Sequence, residues 1–244
     1  MIRFICVVLF VVGFLILSIP ALAVEWILGK VNMEWKNRSS LAIIRRAFQI
    51  VLRITGVSVT VMGRENIPAD EAVLFVGNHR SFFDILLIYT LMKRPTGFVA
   101  KKETGRIPLL RNWMANIQCL FLDRSDIRQG LQTILTGIEK MKGGISLVIF
   151  PEGTRNKTSE PFLPFHGGSF KLAEKSGCAV IPVAINNAAD IFEDHFPVIR
   201  KTHVVMEFGE PIYPGRLGKE EKKKLPLLTE SRIREMYFKN QELV

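Results

Sequence analysis

The sequence predicts an α/β fold, a mainly parallel or mixed sheet flanked by helices, entered through an N-terminal hydrophobic helical membrane anchor. Three observations predict it. Short apolar runs alternate with helix-period stretches from about residue 57 onward. Residues 4–24 carry no charge. Hydrophobic residues make up 48% of the 244-residue chain, enough for a sizeable core without disulfides or a structural metal. Lys and Arg number 33 against 23 Asp and Glu, a formal charge of +10. That excess points to an anionic partner, and charge alone leaves a lipid surface, a phosphate-bearing substrate, an acidic protein and nucleic acid all open. Cys6, Cys119 and Cys178 each lie in an apolar stretch with no metal-ligand spacing, as expected of a reducing compartment and no metal site.

The uncharged run is 21 residues long, roughly 31 Å as a helix, which is enough to cross a bilayer core. Two other readings compete with a span. Ala21-Leu22-Ala23 resembles a signal-peptidase site, and the run could lie partly embedded in one leaflet. The run is long for a signal and only Arg3 precedes it, so an uncleaved anchor is the expectation. Lys30, Lys36, Arg38, Arg45 and Arg46 follow it, which puts the remainder on the cytoplasmic side. A second helix is predicted over 38–55, with Leu41, Ile44, Phe48, Val51 and Leu52 on one side and Arg45, Gln49 and Arg53 opposite. It is either a core-packing helix or an interfacial one whose arginines meet lipid phosphates. Residues 1–55 thus read as the anchoring part, with an apolar helix over 4–24, and 56–244 as the α/β domain.

Within that domain the predicted strands are 57–62, 72–76, 97–100, 119–122, 145–150, 179–184 and 203–208. Helices are predicted near 82–93, 107–116, 127–142, 169–176 and 218–239. Strands separated by helices of this length imply right-handed crossovers and a buried sheet. The charged run at 219–224 reads as a solvated helical face. Ligands in such sheets collect beyond the carboxyl ends of strands, which directs attention to two stretches.

The first is Asn78-His79-Arg80-Ser81-Phe82-Phe83-Asp84, after the second strand. Ser81 and Asp84 have the spacing of a capping box, so Asp84 could serve only to satisfy helix-end amides. The other reading pairs Asp84 with His79. Residues five apart inside one helix diverge by about 140°, but a histidine in the turn before the helix escapes that limit. A carboxylate on one ring nitrogen fixes the tautomer and leaves the other free to take a proton. The second stretch is Phe150-Pro151-Glu152-Gly153-Thr154-Arg155, after the fifth strand. Gly153 lets a ligand approach the backbone, Arg155 offers a planar fork for a phosphate, and Glu152 could accept a hydrogen bond from a hydroxyl. The alternative is a turn closed by a local Glu152–Arg155 pair. Lys171 could hold a second phosphate; Lys101 and Lys102 read as a solvated pair, and His166 and His195 as surface residues.

Together these stretches resemble the glycerophospholipid acyltransferase family, most of all its 1-acylglycerol-3-phosphate acyltransferases. The match runs in order over about residues 57–212. Phe121-Leu122-Asp123-Arg124 resembles the family's second block, and Val180-Ile181-Pro182-Val183 its fourth. The resemblance implies that His79 is the catalytic base and Asp84 its partner. It implies that Arg124, Glu152, Gly153, Thr154 and Arg155 bind the acceptor, with Arg124 and Arg155 on its phosphate. It implies an acyl-coenzyme A or acyl carrier protein donor, a lysophosphatidic-acid-like acceptor, membrane lipids as partners, and neither cofactor, metal nor nucleic acid. In one respect the chain departs from the pattern. The family's second block opens with a glycine three residues before its Phe, where this chain has Gln118, a change expected to narrow the pocket or alter acceptor choice.

Overall fold

A computed structural model describes residues 1–123 and 125–244; Arg124 lies outside the described residues. All seven predicted strands form, as β1 (Ser58–Met62), β2 (Val73–Gly77), β3 (Thr96–Lys101), β4 (Leu120–Leu122), β5 (Ser146–Ile149), β6 (Ala179–Asn186) and β7 (His203–Phe208). They make one sheet in the order β1-β7-β6-β2-β5-β3-β4. Every pairing is parallel except β6 with β7, so the sheet is mixed. Its central strands are buried throughout, which explains why they read as unbroken apolar runs rather than alternating ones.

The helices are α1 (Ile2–Leu17), α2 (Ile19–Val31), α3 (Met33–Thr55), α4 (Phe83–Leu91), α5 (Leu110–Asn116), α6 (Ile127–Lys142), α7 (Lys171–Ser176), α8 (Lys219–Lys223) and α9 (Leu225–Lys239). Successive side chains of β2 go to opposite layers. Val73 and Phe75 join a core with α3, α4 and α5, while Leu74 and Val76 join one with α6, α7 and α9. Burying both faces, at about 25 cal/mol per Å² of apolar surface, is the main stabilising term.

Two predicted helices are broken, each for the same reason. The helix expected over 4–24 divides at Ser18 into α1 and α2, which meet at 50°. Pro20 has no N–H to offer the carbonyl of Ile16, and its ring crowds that carbonyl. The break is pinned: Ser18 Oγ donates to Leu15 O at 3.3 Å and accepts from buried Trp113 Nε1 at 2.8 Å. Consequently, among the described residues, no single helix is long and apolar enough to cross a membrane, although the bent pair passes that test together. Pro226 likewise separates α8 from α9.

The second helix starts earlier than its periodicity suggested. Asn32 Oδ1 accepts from Trp35 N at 3.0 Å, an N-cap, and Gly56 ends the helix in the left-handed region at φ 74°. Leu41, Ile44 and Val51 are buried among α1, α2, α4 and α5, in the core that also holds Val73 and Phe75, so one face of α3 packs inward while Arg46, Gln49 and Arg53 are exposed on the other. Buried Glu25 of α2 accepts from the hydroxyls of Ser39 and Ser40 at 2.5 and 2.7 Å, fastening α2 to it.

Gln118 is not in the pocket it was expected to narrow. It precedes β4, at the end of the sheet away from the carboxyl ends of β2 and β5, with φ 65°. A left-handed backbone is where glycine is favoured. In this chain the position therefore answers to a turn. Here the side chain bridges two helices instead, donating to Asn37 Oδ1 at 2.7 Å and accepting from Lys140 Nζ.

Candidate active site

β2 ends at Gly77, and Asn78 pins the turn that follows. Its amide exchanges two hydrogen bonds of 2.9 Å with the main chain of Ile185 on β6, so the turn cannot slide along the sheet. His79 then faces the first turn of α4. Asp84 Oδ2 accepts from His79 Nδ1 at 2.9 Å and from the main-chain N–H groups of Arg80 and Ser81, each at 2.8 Å. One oxygen therefore orients the ring and satisfies helix-end amides, combining the two readings of Asp84. Asp84 is 1% exposed, so these bonds form away from competing water. With Nδ1 facing a carboxylate, the neutral ring carries its proton there and Nε2 is the acceptor. No hydrogen bond among the described residues uses Nε2. The ring stacks on Phe150, centroids 4.0 Å apart.

β5 lies beside β2 in parallel, which brings the second stretch to the same end. Its turn closes through Gly153 N donating to Phe150 O at 3.0 Å, with Gly153 at φ 72°. Glu152 is placed behind His79 rather than in the open part of the site. Its Oε1 accepts from His79 N at 2.7 Å and its Oε2 from Leu163 N at 3.0 Å. Burial raises the Glu152 pKa, opposed by those two N–H donors and by nearby His79. Asn156 N donates to His79 O at 2.7 Å. Both main-chain polar groups of His79 are thus held by the loop after β5.

The local Glu152–Arg155 pair does not form. Arg155 instead meets Glu193, Nη1 to Oε1 at 3.1 Å, and lies over the Phe82 ring at 3.5 Å from its centroid. Glu193 also accepts from Ser81 Oγ and from Phe82 N, both at 2.7 Å. It is the residue that the sequence reading missed. It belongs to a turn beyond the carboxyl end of β6, and the strand-end rule was the one signal that could have led to it. Thr154 is exposed beside Arg155. Lys171 pairs with Glu174 on its own helix at 2.5 Å and is mostly exposed; no contact among the described residues joins it to His79 or Glu152. Lys102 pairs with Asp123, and His195 with Asp190 at 2.7 Å, so neither is simply solvated.

Two cavities flank this cluster. One of about 450 Å³ is lined by apolar residues of α1, α3, α4 and α5 together with Phe192 and Ile199, and includes Phe82 and Phe83 of the His79 stretch. The other, of about 510 Å³, is lined by Glu152, Gly153, Thr154 and His166 together with α6.

The family model described as Acyltransferase matches residues 58–186, which include every residue of both stretches. A 1-acyl-sn-glycerol-3-phosphate acyltransferase of Saccharomyces cerevisiae is 31% identical over 73% of this chain and 60% of its own length. One from Helicobacter pylori is 35% identical over 61% of each chain. The chain thus spans about three fifths of the length of these relatives. The crystal structure of the 1-acyl-sn-glycerophosphate (LPA) acyltransferase PlsC from Thermotoga maritima superimposes with a TM-score of 0.72 at 24% identity, covering 92% of this chain and 96% of that one. It shares the fold.

Proposed function

Because the chain belongs to the Acyltransferase family, we propose that it transfers a fatty acyl group from an acyl thioester to the free sn-2 hydroxyl of 1-acylglycerol 3-phosphate, making phosphatidic acid. The donor is acyl-coenzyme A or acyl carrier protein. The observation that carries the reading is His79, held by Asp84 at 2.9 Å with Nε2 unengaged among the described residues, on a stretch whose Phe82 both lines an apolar cavity and lies under Arg155.

Nε2 takes the proton of the acceptor hydroxyl as its oxygen attacks the thioester carbonyl. Asp84 stabilises the imidazolium that results. The tetrahedral adduct collapses with cleavage of the C–S bond, and the imidazolium returns the proton to the departing thiolate. General base action of this kind supplies ~100- to 10,000-fold. Arg155 holds the acceptor phosphate through the donors that Glu193 leaves free, with Arg124 assigned the same role by its motif. Glu152 serves by fixing the main chain of His79, and Gly153 and Thr154 lie where the acceptor's glycerol would pass. The apolar cavity takes an acyl chain.

The same reading seats the protein on a membrane. The outer faces of α1 and α2 expose Leu9, Val12, Ile16, Ile19, Trp26 and Ile27, while their inner faces pack on the domain. The bent pair lies in one leaflet, and Lys30, Lys36, Arg38, Arg45 and Arg46 hold the catalytic domain on the cytoplasmic side.

The test is product identification by mass spectrometry, using the purified full chain with paired panels of acyl-coenzyme A and acyl carrier protein donors and of acceptors. Phosphatidic acid from lysophosphatidic acid is expected. Preferential acylation of glycerol 3-phosphate or of a lysophospholipid with a head group would overturn the acceptor assignment. Near wild-type transfer by His79→Ala would overturn the mechanism.

A further inference from the structure

A second cleft lies at the opposite end of the sheet from His79. It has a volume of about 690 Å³ and runs between α3, the link from α4 to β3, and the turn before β5. Ile145, on its wall, is separated from Phe150 of the active site by the length of β5, roughly 17 Å of extended chain. Its cations are Arg38, Arg45, Lys93 and Arg94, and its one carboxylate is Glu34. Glu34 is already spent on Arg38, at 2.7 Å.

The other three cations have no carboxylate within ion-pair reach among the described residues. Yet the two arginines are held in place. Arg45 Nη1 donates to Met92 O at 3.2 Å, and Arg94 Nη1 donates to Ala69 O at 3.1 Å. Both are partly buried, and the Nε of each is buried without a hydrogen-bond partner among the described residues. Carbonyl contacts orient a guanidinium without neutralising it. Elsewhere the partly buried Arg155 meets a carboxylate. Here fixed positive charge is concentrated in a concave surface and left unbalanced, which is an arrangement that attracts an anion. Two oriented guanidinium forks suit phosphate oxygens in particular.

The surroundings of the cleft choose the kind of phosphate. Met33 lines it and is 52% exposed, and the exposed apolar surface continues from there through Val31, Ile27 and Val24 of α2. Trp26 and Trp35 are exposed on either side, with Lys30 Nζ 3.6 Å from the Trp26 ring centroid. Tryptophan with lysine at the edge of an apolar surface is the composition of a membrane–water interface. The apolar face of α1 and α2 thus begins beside the active site, where Phe4 stacks on Phe192, and ends at this cleft.

We propose that the cleft binds the phosphate of an anionic phospholipid headgroup, a lipid bound for anchorage and distinct from the acceptor in the active site. The proposal rests on the seating of α1 and α2 in a leaflet. Membrane surface cations contribute about 1 kcal/mol each, or roughly fivefold in affinity.

Vesicle co-flotation of the full chain tests it, using phosphatidylcholine vesicles with and without phosphatidylglycerol. Arg45→Gln/Arg94→Gln is expected to lose more than the roughly 30-fold of phosphatidylglycerol-dependent affinity that two diffusely attracted cations supply and to keep its binding to phosphatidylcholine. Lys93→Gln, on the exposed rim, should lose about fivefold without touching the Met92 contact. Lys36→Gln/Arg46→Gln removes the same charge from α3 outside the cleft and should lose much less than the double arginine variant. Equal losses in the two double variants would mean diffuse attraction and overturn the site. So would displacement of the protein from phosphatidylglycerol by millimolar inorganic phosphate at constant ionic strength, which would reassign the cleft to a soluble phosphate. Equal binding of wild type to both vesicles would overturn the cleft alone. Binding to neither would overturn the seating as well.

Discussion

Asp84→Asn separates the charge of the carboxylate from its geometry. All three hydrogen bonds made by the side chain converge on Oδ2, so an asparagine oxygen in that place keeps the N–H groups of Arg80 and Ser81 and still faces His79 Nδ1. What is lost is the negative charge that stabilises the imidazolium in the transition state. At about 4 Å and an effective dielectric constant of about 20, that attraction is worth roughly 4 kcal/mol. With about 1.4 kcal/mol per decade of rate, this sets an upper bound near three decades. A fall in kcat of about 100- to 1,000-fold is therefore expected. Stability should change far less: weakening the charge-assisted bonds by about 1 kcal/mol in total lowers Tm by roughly 2–4 °C. Asp84→Ala, which orphans a buried Ser81 N–H, should lower Tm more than Asp84→Asn does. The assay is mass-spectrometric product formation at saturating donor and acceptor, alongside a thermal melt. A rate for Asp84→Asn within about threefold of wild type, in a folded protein, would refute the reasoning, because charge on this oxygen would then not matter.

Three other perturbations follow from particular contacts. Glu193→Gln can keep the bonds to Ser81 and Phe82 while releasing the ion pair with Arg155; KM for the phosphate-bearing acceptor should rise about tenfold with kcat little changed, and a lowered KM would show that Glu193 competes with the phosphate instead. Gln118→Gly relieves a left-handed non-glycine backbone, worth roughly 1–2 kcal/mol, and forfeits two side-chain bonds of about 1 kcal/mol each. Its net effect on denaturant stability should be small and its ratio of acceptor rates unchanged; an altered ratio would restore Gln118 to the substrate site. Burial raises the Cys119 thiol pKa to about 12, so at mildly alkaline pH the reactive thiolate is nearly absent. Thiol titration of the native chain should spare Cys119 until the protein is unfolded, whereas exposed Cys6 should react; equal rates would contradict this packing.

The strands were easily read because a strand buried on both faces needs apolar residues at every position, a local property. Helix interruptions were harder. Pro20 and Pro226 were visible in the sequence, but in α1 the break is completed by a hydroxyl bond to Trp113, ninety-five residues away in the chain. The His79–Asp84 pair was legible because both residues lie within one turn and its following helix, so their distance depends on little else. Glu193 was not, because it reaches Ser81 across 112 positions and carries no motif of its own. Gln118 is an intermediate case: a family pattern drew attention to the position, but its φ angle and its place away from the His79 turn are set by the fold and are not visible in the sequence.

The wall of the apolar cavity has a consequence for any attempt to simplify this protein. Phe4, Val7, Phe10, Val11, Phe14 and Leu15 of α1 supply one side of it, and Phe4 also stacks on the turn that carries Glu193. A detachable tether can be trimmed to obtain a soluble catalytic core. Removing residues 1–31 would instead unroof the cavity and leave Trp113, Phe83 and Leu86 facing water. Under the proposed function, the segment that would hold the protein at a bilayer would thus also be part of the gauge for the fatty chain. Substitutions on its inner face should alter chain-length preference, and those on its outer face should alter only residence on the membrane.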